Sequence, residues 1–264
     1  MDQDHSLPSA GAASTRAKLS WPDRIWIVRH GQSAGNVARD LAEGSGAEMI
    51  QLDHRDADVP LSSLGERQAS ALAAWVAALP EHERPTALLT SPYRRARQTC
   101  AAMGAAIGLA ERVVVDERLR EKEFGVLDRY TRHGITAKFP DLAAQRALVG
   151  KFYFRPPGGE SWCDVVLRLR SVVSDLQRNY TGERVVIVAH QVIVSCFRYL
   201  VEQLDEQAIL AIDQAGEVPN CGITEYHYAP ASHGLQLGRV NLVQPVAGGG
   251  EPVTHEPDRP QGAR

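Results

Sequence analysis

Short apolar runs alternate with longer stretches of helical periodicity along most of the chain. Residues 25–28 (Ile-Trp-Ile-Val) form an unbroken apolar run ending at a charged turn, the pattern of a parallel strand buried on both faces. Runs at 86–90, 113–115 and 185–189 predict further strands, and 223–228 with 235–242 one or two late ones. Between them Ala69, Leu72, Ala73, Val76 and Leu79 recur at helical spacing, with Ser63 and Glu66 as an expected capping box and Pro80 as the stop. Ser91 and Pro92 predict an N-cap and first-turn proline for a helix to about 107. Val165, Leu169, Val172, Val173 and Leu176 mark a long amphipathic helix, and another spans about 192–204. The stretch 124–158 is less regular and is expected to be an insertion over a site. This β-α alternation predicts a single α/β domain, with a mostly parallel central sheet and helices on both faces.

The two ends differ from this pattern. Residues 1–21 are rich in Ala, Ser and Gly, residues 247–264 in Gly and Pro, and both are expected to be disordered around a folded domain at 22–246. The leader lacks the apolar core of a secretory signal, and no run nears the roughly 20 apolar residues of a membrane span. A net charge of -3 over 264 residues gives no basic field for nucleic acid or anionic membrane. Any anion site must therefore be a local cluster of cations. Cys100, Cys163, Cys196 and Cys221 are widely spaced with no CxxC pair, so free thiols are expected rather than zinc ligands or disulfides. A cytoplasmic protein is the resulting expectation.

In open parallel sheets ligands bind beyond the carboxyl ends of the strands. His30 follows the first predicted strand, His190 follows the strand at 185–189, and the polar cluster 90–95 follows a third. Other histidines, such as His54, His133 and His233, carry no such placement. Arg29 beside His30 argues against a metal site, because a guanidinium repels a divalent cation. Arginines with histidines suit a phosphate, which accepts forked, charge-assisted hydrogen bonds.

The stretch Arg29-His30-Gly31-Gln32-Ser33-Ala34-Gly35-Asn36 resembles the signature of the histidine phosphatase superfamily, whose fold is phosphoglycerate-mutase-like. Residues 90–99 resemble its second-arginine motif, with Arg95 in the matching position. Residues 119–125 resemble its acidic motif, with Glu121 as proton donor, and Ala189-His190-Gln191 supplies the second histidine. The resemblance covers about 25–228. It implies that His30 attacks phosphorus, that Arg29, Arg95 and His190 bind the phosphoryl oxygens, and that Asn36 adds a neutral donor. Glu121 would protonate the leaving oxygen and then deprotonate water. Neither metal nor cofactor is implied. Glu117 and Glu123 are chemically equivalent to Glu121, and alignment to the motif alone separates them.

Gln191 after the second histidine, and Pro157-Gly158-Gly159-Glu160-Ser161 before the long helix, are closer to the fructose-2,6-bisphosphatase and broad-specificity branch than to the mutases. No GxxxxGK[ST] kinase loop occurs. The expected substrate is a small phosphate ester, a sugar phosphate among the options. A phosphoglycerate-type mutase is the first alternative and a non-catalytic phosphate-binding module the second. Lys151, Tyr153 and Arg155 interleave cations and an aromatic ring, and their contact with substrate stays open.

Overall fold

The computed structural model describes residues 20–255. Its strands are β1 (Arg24–Arg29), β2 (Ala87–Thr90), β3 (Val113–Val115), β4 (Arg184–Ala189), β5 (Ile223–Ala229) and β6 (Gly234–Leu237). They form one sheet in the order β3-β2-β4-β1-β5-β6. The first four run parallel, while β5 and β6 are antiparallel to their neighbours. Strand β1 therefore sits inside the sheet, in register from Arg24↔Arg184 to Arg29↔Ala189. That register brings the ends of β1 and β4 level.

The helices are α1 (Ala34–Ser45), α2 (Ser63–Ala78), α3 (Arg94–Ala106), α4 (Arg132–Lys138), α5 (Pro140–Val149), α6 (Trp162–Asn179), α7 (Gln191–Val201), α8 (Glu206–Ala215) and α9 (Gln244–Gly248). Successive strand residues face opposite layers. Ile25, Ile27, Val185 and Ile187 pack with Val165, Leu169 and Phe197 of α6 and α7. Trp26, Val28, Val186 and Val188 pack with Leu72, Val76, Cys100 and Met103 of α2 and α3. Burying both faces of these strands is why their sequences are continuously apolar.

Several local expectations shift. The cap of α2 is Ser62, whose Oγ accepts from Gly65 N at 3.0 Å, not Ser63. Helix α3 begins at Arg94, because Ser91 and Pro92 lie in the turn before it. Residues 124–158 carry α4 and α5 and a small core of Leu127, Ile135 and Phe154, so they are a helical lobe rather than irregular. The helices α1 and α8 were not foreseen, although Ser33 and Asn36 form a full capping box and Gly46 ends α1 left-handed.

The expected boundary at 246 falls short of the packed chain. Residues 251–255 run as a strap across α2: Arg67 Nε pairs with Glu251, and Gln68 Nε2 donates to Pro252 O at 2.8 Å. Thr254 Oγ1 donates to Asn220 Oδ1 at 3.0 Å, and Asn220 N donates to Thr254 O. These polar anchors, with Val253 packed against the core beside α2, hold a segment otherwise poor in apolar residues. The remaining leader and tail, 1–19 and 256–264, lie outside the described residues.

Removing residues 251 onward should lower stability by about 2 kcal/mol or more, because Gln68 Nε2 and Asn220 Oδ1 lose buried partners. A denaturant midpoint equal to that of the intact chain would remove the strap from the fold.

Candidate active site

Three strands deliver the site. His30 follows β1, His190 follows β4, and Ser91 follows β2, all fully buried. The backbone carries the ladder past the strand ends, with His30 N donating to Ala189 O at 3.0 Å and Ser91 N to Val188 O at 3.0 Å. The rings of His30 and His190 lie edge to face, 5.1 Å between centroids. His190 Nε2 is 2.7 Å from Ser91 Oγ, and Tyr93 stands edge-on to His190 at 5.1 Å. His190 is also the residue before α7, so the electropositive start of that helix faces this corner.

The loop after His30 is held from several sides. Gly31 N donates to Thr99 Oγ1 and Gln32 N to Gln68 Oε1, while Asn220 Nδ2 donates to the carbonyl of His30 at 3.1 Å. Helix α2 approaches so closely that a Cβ on Gly65 would lie 1.9 Å from Gln32 O. Glycine is required at Gly65 for that contact alone.

The hydrogen bonds of His30 select one state of the ring. Nδ1 lies 2.7 Å from Gly31 O, which can only accept, so Nδ1 carries the proton. Nε2 receives Arg95 Nε at 3.2 Å, and a guanidinium can only donate, so Nε2 carries a lone pair. In this arrangement the ring is neutral, with the lone pair of Nε2 turned to Arg95. The exposed Arg94 makes no such contact, whereas Arg95 is buried.

Arg95 has a second partner. Its Nη1 donates to Asp56 Oδ1 at 3.0 Å and to Asp56 O at 2.6 Å, and its Nη2 to Oδ2 at 3.3 Å. A carboxylate thus occupies the fork that fits a phosphate. Arg29 is wholly buried and donates from Nη1 to Val218 O at 2.5 Å. Asn36 Oδ1 accepts from Ser33 N and Oγ, each at 2.9 Å, and Asn220 Nδ2 lies 3.5 Å away. Asn36 and Arg95 line one pocket with Asp56 and Phe124.

Glu121 comes from the loop beyond β3. It is fully buried, unlike the exposed Glu117 and Glu123, and its Oε1 accepts from Lys122 N at 2.8 Å. Glu160 and Arg168 hold this loop. Glu160 accepts from Arg168 Nε and Nη2 at 3.0 Å, from Arg120 Nη2 at 2.7 Å and from Glu123 N at 3.1 Å. Arg168 also donates to the carbonyls of Arg118 and Glu121. Burial alone would raise the Glu160 carboxyl, but hydrogen bonds and charge from Arg168, the Glu123 N–H and the charge of Arg120 outweigh it and hold it below the usual range. Burial, with Asp56 and Glu123 nearby, pushes the Tyr93 phenol up, so it stays a donor, 3.1 Å from Glu123 Oε1. Burial likewise lifts the Cys221 thiol to about 12 against the opposing charge of Arg29, which removes it as a nucleophile.

Of the residues singled out in the sequence, these contacts join His30, Arg95, His190 and Asn36, with Arg29 next in the chain. Glu121 stands on a different loop, where Lys122 N donates to its Oε1 and Arg168 to its carbonyl. Sequence reasoning missed Asp56, Tyr93, Gln68 and Asn220, and gave Ser91 a capping role. Its Oγ does accept from Tyr93 N at 3.2 Å, yet it also meets His190, and no local signal foretells that.

The profile of the histidine phosphatase superfamily (branch 1) matches residues 25–241. A probable phosphoglycerate mutase, GpmB, of Photorhabdus laumondii is 26% identical over 209 residues, 78% of this chain and 86% of that one. The 6-phosphofructo-2-kinase/fructose-2,6-bisphosphatase of Caenorhabditis elegans is 30% identical over 181 residues, 66% of this chain and 33% of that longer one. Among solved structures, a mycobacterial glucosyl-3-phosphoglycerate phosphatase is 28% identical with a TM-score of 0.64, covering 83% of this chain and 98% of that one.

Two measurements test the site's electrostatics. Asp56→Asn should bind inorganic phosphate a few-fold more tightly in calorimetry, since the anion no longer displaces a carboxylate from Arg95; unchanged or weaker binding would mean that Asp56 does not compete. As pH falls to about 4 and below, the unfolded chain protonates before Glu160 does, so stability present above that range is lost. Glu160→Gln should flatten this part of the acid-unfolding curve, and an unaltered curve would contradict the assignment.

Proposed function

The chain belongs to the histidine phosphatase superfamily, and we propose that it hydrolyses a small phosphorylated metabolite through a phosphohistidine formed on His30. The single observation that carries this reading is the hydrogen-bonding of the His30 ring. Gly31 O holds the proton on Nδ1, so Nε2 meets phosphorus with its lone pair and the imidazolium formed by attack is stabilised where its proton already lies.

In the first half-reaction Nε2 bonds to phosphorus as the ester P–O bond breaks, and Glu121 gives its proton to the departing oxygen. Arg29, Arg95 and His190 take the charge of the transferring phosphoryl oxygens, Arg95 by exchanging Asp56 for phosphate. Asn36, with Oδ1 engaged in the helix cap, offers its NH2 end. In the second half water attacks the phosphohistidine, the carboxylate of Glu121 takes the water's proton, and phosphate leaves. The burial of Glu121, against the exposure of Glu117 and Glu123, supports it as the acid.

The glucosyl-3-phosphoglycerate phosphatase and the fructose-2,6-bisphosphatase relative support a phosphate ester of a small metabolite. The GpmB relatives favour a second reading, a phosphoglycerate mutase. Gln191 after His190 supports the hydrolase. Among the described residues no helix is long and apolar enough to cross a membrane. The buried free thiols of Cys100 and Cys221 suit a reducing cytoplasm.

His30→Ala should abolish turnover in a folded protein, and brief exposure of the intact enzyme to a labelled ester should leave an acid-labile, base-stable label. Glu121→Gln should slow esters of poor leaving groups far more than those of good ones. Label on Ser91, or equal slowing of both ester types, would overturn the respective role. Rapid interconversion of 2- and 3-phosphoglycerate with little phosphate released would establish the mutase instead.

A further inference from the structure

The ring of His30 is oriented by the carbonyl of Gly31, so whatever fixes that carbonyl also fixes the ring. Gly31 O and Gln32 N belong to one planar peptide unit and point in opposite directions. Gln32 N donates to Gln68 Oε1 at 2.9 Å, and the carbonyl on the other side of the unit is thereby turned to Nδ1. The preceding unit is held at both ends as well. Asn220 Nδ2 donates to His30 O at 3.1 Å, and Gly31 N donates to Thr99 Oγ1 at 3.1 Å. Two fully buried side-chain amides, Gln68 and Asn220, thus hold the two peptide units that follow His30.

Each amide has to present the correct end, and the strap at 251–255 supplies the partners that select it. Pro252 O can only accept, so Gln68 turns Nε2 to it at 2.8 Å and leaves Oε1 for Gln32 N. Gln68 Nε2 also donates to Thr254 Oγ1 at 3.0 Å. Asn220 Oδ1 can only accept, so the same hydroxyl passes its own proton on to Asn220, again at 3.0 Å. Reversing the Asn220 amide would set its oxygen against His30 O. The main chain keeps the hydroxyl in place, because Asn220 N donates to Thr254 O at 2.9 Å. One hydroxyl therefore joins both amides, in a relay from Gln68 through Thr254 and Asn220 to His30 O. The strap lies beyond residue 241, where the superfamily profile ends.

We propose that Thr254 is a positioning residue for the nucleophile: through Gln68 and Asn220, its hydroxyl holds the peptide units that bring Gly31 O to His30 Nδ1. This role rests on His30 attacking phosphorus as described above. Without the hydroxyl, Asn220 Oδ1 loses its donor and His30 O loses a fixed partner. The Gly31 peptide can then tilt, and the ring can place its proton on Nε2, the tautomer that cannot attack. Arg29, Arg95 and His190 keep their contacts, so phosphate is bound as before. Support of this kind, behind the reacting group, decides how precisely that group is aimed.

Thr254→Val keeps the shape of the side chain and removes the hydroxyl, whereas Thr254→Ser keeps the hydroxyl. In the full-length protein, single-turnover labelling of His30 by a phosphate ester should be about tenfold slower in Thr254→Val, the scale of one or two lost hydrogen bonds. Inorganic phosphate should bind as tightly as before in calorimetry, and Thr254→Ser should recover most of the rate. Nitrogen NMR on isotopically labelled histidine reads the ring directly, His30 being identified by the signals lost in His30→Ala. Nδ1 should be protonated and Nε2 bare in the intact protein and in Thr254→Ser, with the two tautomers averaged in Thr254→Val. All variants are compared well below their melting midpoints, so that lost stability alone moves neither reading. Should Thr254→Val fail to melt cooperatively, Thr254→Ala takes its place. An unchanged labelling rate and ring signature without the hydroxyl, or Thr254→Ser as slow as Thr254→Val, would overturn the proposal. Failure of the underlying reading looks different: no label forms, or turnover survives His30→Ala, and the ring signature still decides whether Thr254 holds His30.

Discussion

Guanidinium groups buried beside two imidazoles have to be held against their own desolvation and mutual repulsion, and the structure around Arg29 and Arg95 is arranged to do so. Arg29 donates to a main-chain carbonyl at Val218, and Arg95 divides its donors between His30 and Asp56. Carbonyl dipoles and one carboxylate replace the water that the cations lost. Because these partners come from segments as distant as 56 and 218, the cluster forms only when the sheet, α3 and the loop before β5 are all in place. The same arrangement fixes the His30 ring, with Nδ1 on Gly31 O and Nε2 on Arg95 Nε.

Loops that bear chemistry are usually the soft parts of an α/β protein, yet the segment after His30 is held at nearly every residue. Its carbonyl and N–H groups are taken by Asn220, Thr99, Gln68 and Ser62, and α2 touches its main chain at Gly65. The loop of Glu121 is fastened differently, by the Glu160–Arg168 pair reaching four residues at once. His30 and Glu121 are thus fixed by separate networks, and the chain of the α4 and α5 lobe leaves and re-enters beside the second one. Variation in that lobe can proceed without disturbing the contacts that hold His30.

What the sequence disclosed follows from what is local in it. The strand runs at 25–28, 86–90, 113–115 and 185–189 needed only their own apolar content, and all four are strands. His30 and His190 were legible because a strand end says where the next residue goes. Arg95 was not separable from Arg94 by local chemistry; the family motif chose it, and its burial agrees. Caps were misplaced by one residue at Ser62 and by two at Tyr93, since Ser, Pro and Gly offer several equivalent solutions. Asp56, Asn220 and Thr254 were hidden for another reason: each acts on a residue tens to hundreds of positions away, and no periodicity records such a partner. The helices α4 and α5 were obscured because their apolar residues line a cavity and a small core rather than one continuous face.

The position of β1 has a consequence for how the chain is made. Its neighbours are β4 and β5, which are synthesised well over a hundred residues later. Until residues 184–189 have left the ribosome β1 has no strand beside it, and until 223–229 follow, one of its edges stays open to any other exposed strand. During most of translation the most apolar strand of the first half is therefore a surface to be shielded, and early release of an incomplete chain would favour aggregation over partial activity.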